Sequence, residues 1–297
     1  MSPYSSTPRV IGTHNGNFHA DDVFAVATLM LLFPGSKVIR SREENELKNA
    51  DFIVDVGAIY DPSRCRFDHH QGDFNVTRPN GLPYASFGLV WKEFGERVCG
   101  FESSKMIDDK LVTPIDALDN GVDIDAPLVA GIKRYDLKDI IDALTPMGEC
   151  SDKEMDGAFM FVVKMAEALI VREIERANMA ISAREEVEKA YRSANDKRII
   201  SLSKMVPWKD TLISKPEPLF VIYKRHDEKW AAQSVPISKN SFMNRQLFPE
   251  GWAGKTEDEL KEVSGVKDAV FCHNKRFFAV ASTFDGAESL AKLALVN

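Results

Sequence analysis

Apolar and polar positions alternate in short blocks through the first quarter of the chain. Arg9-Val10-Ile11-Gly12 reads as a short buried strand, and a polar loop from Thr13 to His19 follows it. Asp21 and Asp22 then precede a nearly unbroken apolar run, Val23 to Phe33, which Pro34-Gly35 stops. Acidic residues before such a run and Pro-Gly after it are helix boundary signals. Lys37 to Arg40 predicts a second strand, Glu43 to Asn49 a short helix and Phe52 to Val56 a third strand. The alternation predicts an α/β unit on a parallel sheet, and in such sheets ligands gather at the carboxyl ends of the strands.

The pattern changes after Asp73. Ala85 to Arg97 and Ser104 to Leu118 predict helices, the second closed by Asn120-Gly121. In the stretch Met155 to Ala190, Phe159, Val162, Ala166, Leu169, Ile174, Ala177 and Ile181 recur at helical spacing with charges between them. This long helix is expected to pack on the chain's own sheet, with a dimer face as the alternative. A proline-rich segment, Val206 to Pro218, marks the expected boundary and hinge. Beyond it Leu219–Tyr223, Trp230–Val235, Ala269–His273 and Phe277–Ala281 predict strands, with a helix near Thr256–Val263. The expectation is therefore a parallel-sheet domain over 1–200, long helix included, and a smaller C-terminal α+β domain over 201–297.

Composition narrows the classes. At 297 residues, 44% hydrophobic and 28% charged, the chain has the mix of a soluble globular protein large enough for two domains. No apolar run approaches the roughly 20 residues that span a bilayer, and the first residues form no secretory signal. Four widely spaced cysteines without a CxxC pair argue against a disulfide framework and against a thiolate zinc site. A cytoplasmic location is the expectation. The net charge of −7 is uneven, because residues 201–297 hold 14 Lys and Arg against 12 Asp and Glu. That part carries +2 and residues 1–200 carry −9, a poor balance for gripping long duplexes and a fair one for a carboxylate-rich cation site.

The candidate chemistry sits in the acidic part. Four of the six histidines (His14, His19, His69, His70) lie in the first quarter, each beside carboxylates. His14-Asn15-Gly16-Asn17-Phe18-His19-Ala20-Asp21-Asp22 runs from a strand end into a helix start. Asp55 ends the third strand, and Asp68-His69-His70 lies in a charged loop. Imidazole mixed with carboxylate suits manganese, magnesium, iron or zinc, with manganese favoured by the oxygen-heavy set. Asp119 sits at the C-terminal end of a predicted helix, where the dipole disfavours a carboxylate unless a cation compensates it.

Taken together, these motifs resemble the DHH phosphoesterase superfamily. The closer similarity is to the melanocyte-proliferating-gene family of DHH-type exonucleases, through Gly12 to Asp22, Asp55-Val56-Gly57, Phe67-Asp68-His69-His70-Gln71 and Leu118-Asp119-Asn120-Gly121. Val206-Pro207-Trp208-Lys209, Gln233-Ser234-Val235-Pro236 and Phe248-Pro249-Glu250-Gly251-Trp252 extend the resemblance along the chain. It implies two divalent metal ions, the first on His14, His19 and Asp55, the second on Asp21, Asp55, His69 and Asp119, with Asp55 bridging. His19 stands where many relatives carry aspartate. The resemblance places His70 against the phosphate and Asp22, Asp68 and Asp116 behind the ligands as orienting groups. Arg245 and His273 in the second domain are expected to bind substrate. The implied activity is metal-dependent phosphodiester hydrolysis, 3′–5′ and exonucleolytic, on RNA or short single strands. A small-molecule phosphoesterase for pyrophosphate or a dinucleotide is the alternative, and a metal-binding regulatory protein without turnover is the rival of another class.

Overall fold

The computed structural model describes residues 7–122, 124, 134–239 and 241–296. The protein is a mixed α/β chain with two five-stranded sheets, and it divides into two compact units, residues 1–177 and 178–297.

In the first unit β1 (Val10–Thr13) is central, with β2 (Lys37–Arg40) parallel on one side and β3 (Phe52–Val54) parallel on the other. β5 (Arg66–Phe67) continues the parallel set beside β3, and β4 (Tyr60–Asp61) closes the edge antiparallel to β5. The apolar run forms α1 (Ala20–Leu32), buried from Asp21 to Met30 on every face, which explains why it shows no helical periodicity in sequence. Residues 44–47 form the short α2. α1 packs against α3 (Ser86–Cys99), and Phe24, Leu29, Phe87 and Trp91 belong to the core they share with Phe52 and Phe67.

The predicted helix Ser104–Leu118 is in fact three pieces. α4 (Phe101–Ile107) passes through a π-wound turn, Asp108–Val112, into α5 (Thr113–Asp119). Pro114 explains the break: it lacks an N–H, its ring crowds the carbonyl four residues back, and the widened turn before it absorbs the mismatch. α6 (Leu137–Leu144), which the sequence pattern did not suggest, begins at Asp136, whose side chain caps it. α7 (Asp152–Ser193) is one helix of 42 residues that runs through the division between the units.

The second unit has the strand order β6 (Ile199–Leu202), β7 (Phe220–Lys224), β8 (Trp230–Ser234), β10 (Phe278–Ala281), β9 (Ala269–Cys272). Only the β6–β7 pair is parallel. β7 is buried on both faces. Phe220 and Ile222 join Phe248, Trp252 and Leu290, whereas Val221 and Tyr223 join Val187, Trp208 and Leu212. α8 (Lys209–Ile213), α9 (Glu257–Ser264) and α10 (Phe284–Ala294) complete this unit. Because β6 precedes the proline-rich segment, Val206 to Pro218 is a connection inside the second unit's sheet. Among the described residues no helix is long and apolar enough to cross a membrane. The four cysteines are free thiols.

Candidate metal centre

The parallel strands of the first unit deliver their following residues to one end of the sheet. His14 follows β1, Asp55 follows β3, and Asp68, His69 and His70 follow β5. Asp55 takes a left-handed backbone, φ 55°, which ends β3 two residues before the sequence pattern does. Its amide still donates to the Phe67 carbonyl at 3.0 Å, so the turn is held in register with β5. Asp is among the few residues that tolerate this conformation, at a cost the sheet supports.

Asp55 is the hub. Its Oδ2 lies 3.3 Å from Nε2 of His14, and its Oδ1 lies 3.7 Å from Nε2 of His69 and 3.4 Å from Nδ1 of His70. Ser86 Oγ donates to the same Oδ1 at 3.1 Å. Among the described residues three sets of donors converge closely enough to hold a cation: His14, Asp22 and Asp55; Asp21, His69 and Asp119; and Asp55, His69 and His70.

Asp21 is held from behind. Its two oxygens accept from the Ser86 and Phe87 amides, at 2.9 and 2.7 Å, at the N-terminus of α3. Asp119 ends α5 with Oδ2 3.2 Å from Nε2 of His69, so the carboxylate that the helix dipole disfavours sits beside an imidazole. Asp68 fixes His70: Oδ1 accepts from the His70 amide at 3.1 Å and pairs with Nδ1 at 2.8 Å, while Oδ2 accepts from the Ala58 amide. The His70 side chain is 61% exposed.

Burial pushes Asp21 well above the usual carboxylate range, reinforced by the neighbouring charges of Asp55, Asp119 and Asp116. Burial likewise lifts Asp22 to about 7, against the pull of His14. For His14, burial works against protonation, yet Asp55 and Asp22 outweigh it and raise the ring. His69 follows the same logic with Asp119 as the dominant neighbour. So many carboxylates in so little space need positive charge. Two polar atoms here, Asp22 Oδ2 and His69 Nε2, are buried without a hydrogen-bond partner. A buried carboxylate oxygen and a buried imidazole nitrogen left unsatisfied in different donor sets are the environment divalent cations fit.

Three details differ from the sequence expectation. Asp22, expected behind the ligands, has Oδ2 3.4 Å from Nε2 of His14 and shares the first donor set, while its Oδ1 accepts from the His19 amide at 2.7 Å. His19 is exposed and outside the three sets, its ring centroid 6.2 Å from that of His14. Asp116 touches no histidine. It accepts from the Gly88 amide at 3.0 Å and from Arg78 at 3.2 and 2.7 Å, and Arg78 also reaches Asp108 at 2.6 Å. This buried knot went unseen in the sequence, since its members are 28 to 38 residues apart.

Arg245 and His273 belong to the second unit. The Arg245 guanidinium donates to the carbonyls of Lys215, Pro218 and Ile213 at 2.6, 3.0 and 2.7 Å, which closes the loop after α8. His273 packs against Phe277 with ring centroids 4.5 Å apart, and its Nδ1 accepts from the Lys275 amide in the turn joining β9 to β10.

A family model described as "Uncharacterised protein family (UPF0160)", the MYG1 exonuclease model, matches residues 10–295. The chain is 31% identical to the MYG1 exonuclease of Homo sapiens over 98% of its own length and 86% of that protein. It is 30% identical to a MYG1 protein of Schizosaccharomyces pombe, over 96% of this chain and 97% of that one. A MYG1 protein of Chlamydia pneumoniae is 29% identical over 97% of both. No solved structure matches the chain.

Proposed function

The chain belongs to the MYG1 family, and from that membership and the cluster around Asp55 we propose that it is a metal-dependent exonuclease of the DHH phosphoesterase type. The observation that carries the reading is the splayed Asp55 carboxylate, one oxygen toward His14 and the other toward His69 and His70. A carboxylate so placed suits the bridge between two cation positions. His14, Asp22 and Asp55 would hold one ion, with His19 beside them, and Asp21, Asp55, His69 and Asp119 the other.

A pair of divalent cations, manganese above all for this donor set, supplies a water nucleophile at neutral pH and neutralises the phosphodiester. The chain's own residues do the positioning. Asp68 fixes the His70 ring through Nδ1, and a protonated ring would have Nε2 free to donate to a phosphoryl or leaving oxygen. The α3 amides keep Asp21 from turning away. We further propose 3′–5′ cleavage of RNA or short single strands, consistent with a net charge of −7 that offers no broad electrostatic grip on a duplex.

The test is a panel of end-labelled RNA, DNA, dinucleotides and pyrophosphate with manganese. Mononucleotides should appear from one end of linear RNA, and a circular strand should resist. Equal cutting of circular and linear strands, or turnover of pyrophosphate alone, would overturn the proposal.

A further inference from the structure

Arg40 is the last residue of β2, yet its side chain is only 2% exposed. Nη2 donates to the Gly16 carbonyl at 2.6 Å and Nη1 pairs with Asp156 of α7 at 3.0 Å. The guanidinium carbon lies 4.5 Å from the Phe159 ring centroid and 5.6 Å from that of Phe18, and the two rings meet edge to face. Nε is buried without a partner.

Gly16 is the tip of the turn that separates His14 from His19, with φ 81°. Among the described residues, the bond from Arg40 is what ties that tip to another element. Phe18, on the same loop, is buried against Phe159, so Arg40 grips the turn both through the carbonyl and through the ring. The result is a loop fastened to α7 between the two histidines that flank the first cation position.

Stability alone is a weak reason for this arrangement. A guanidinium buried with one donor unsatisfied costs desolvation that an aliphatic side chain between two phenylalanines would avoid. What the guanidinium adds is direction, since its planar fork fixes two acceptors in one geometry. We propose that Arg40 is a positioning residue that sets the placement of His14 and, through the His19 amide that donates to Asp22, of Asp22, and so the affinity of the first cation position alone. The Asp21, His69 and Asp119 set hangs on α1, α3, α5 and the β5 loop, none of which Arg40 bonds. The proposal rests on the two-cation reading above.

The experiment titrates the full-length protein and its Arg40→Met, Arg40→Lys and Asp156→Asn variants with MnCl2 by calorimetry, beside metal-free unfolding of the same preparations. Loss of a group that orients a ligand typically weakens a metal about 10–100-fold. Arg40→Met should therefore weaken one of two manganese events by at least about 10-fold and leave the other unchanged. Arg40→Lys keeps the charge without the fork and should fall between. Asp156→Asn, which leaves the Gly16 bond in place, should stay near wild type. Two events of wild-type affinity in Arg40→Met, or equal weakening of both in step with lost stability, would return Arg40 to a packing role. If Arg40→Met does not fold, Arg40→Lys decides: one weakened event supports the proposal and two unchanged events refute it. A wild-type protein that binds fewer than two ions would sink the two-cation reading and this proposal with it. Two-ion binding that is indifferent to Arg40 would sink only the latter.

Discussion

Arg78→Met removes the counter-ion of a fully buried carboxylate near the site. Asp116 is fully buried, and burial pushes it up to about 7 even though Arg78 and the Gly88 amide pull it down. Against the ordinary 3.8, ionised Asp116 therefore already costs about 4 kcal/mol at pH 8. Arg78 supplies two hydrogen bonds to Asp116 and one to Asp108, and its guanidinium lies 4.4 Å from the Tyr84 ring centroid. Stranding one partner of a buried pair costs about 3–5 kcal/mol, a large share of the 5–15 kcal/mol that holds a domain together. The pH dependence separates charge from lost packing. A carboxyl whose folded pKa lies above its unfolded value binds more protons when folded, so stability falls as pH rises from about 4 to 7 and then levels. Without Arg78 the folded pKa climbs further and the fall continues past 7. Urea unfolding should show a larger loss at pH 8 than at pH 5.5, where Asp116 is neutral in both proteins, by up to about 1.4 kcal/mol for the one pH unit above 7. A loss under about 1 kcal/mol at pH 8, or one equal at both pH values, would refute the argument. The knot also bears on the site, because Gly88 lies one residue after the amides of α3 that hold Asp21.

Asp55→Ala should abolish binding of both manganese ions, while Asp119→Ala weakens one; elemental analysis and calorimetry read the difference, and a single retained ion in Asp55→Ala would contradict the bridge. Gly88→Ala would place a Cβ 1.9 Å from Asp116 Oδ2, so the variant should lose about 1–3 kcal/mol or more in urea unfolding; a neutral effect would mean that α3 shifts freely. Arg245→Ala should cost roughly 2–4 kcal/mol of stability through three lost carbonyl bonds, and Arg245→Lys should recover only part of it. Unchanged stability with impaired kinetics would instead favour the phosphate-gripping role read from the sequence. Because burial raises Asp22 to about 7 and Asp21 well above the usual carboxylate range, protons compete with manganese, and affinity should drop as pH falls from 8 to 6; a flat profile would count against these carboxylates as ligands.

The sequence by itself determined what depends on neighbours along the chain. The order β1, α1, β2, β3 followed from short apolar blocks and their Asp, Pro and Gly boundaries, and these agree with the structure to within a few residues. The candidate donors His14, Asp55, His69 and Asp119 stood out because strand and helix ends are marked locally, and a parallel sheet carries its strand ends to one side. Tertiary structure decided the rest. β4 and β5 are two residues each, too short for any periodicity, and β6 takes its place from a sheet whose other strands lie roughly 20 to 80 residues further on. Asp21 and Asp22 are adjacent in sequence and equally acidic. The helical turn between them sends one carboxylate to the α3 amides and the other toward His14. Arg245 looks like a free cation in sequence and becomes a clasp for backbone carbonyls, because only the folded loop after α8 brings three acceptors within reach of one guanidinium. Local patterning records which groups are present, whereas partners separated by dozens of residues are chosen by packing, which no window of sequence contains.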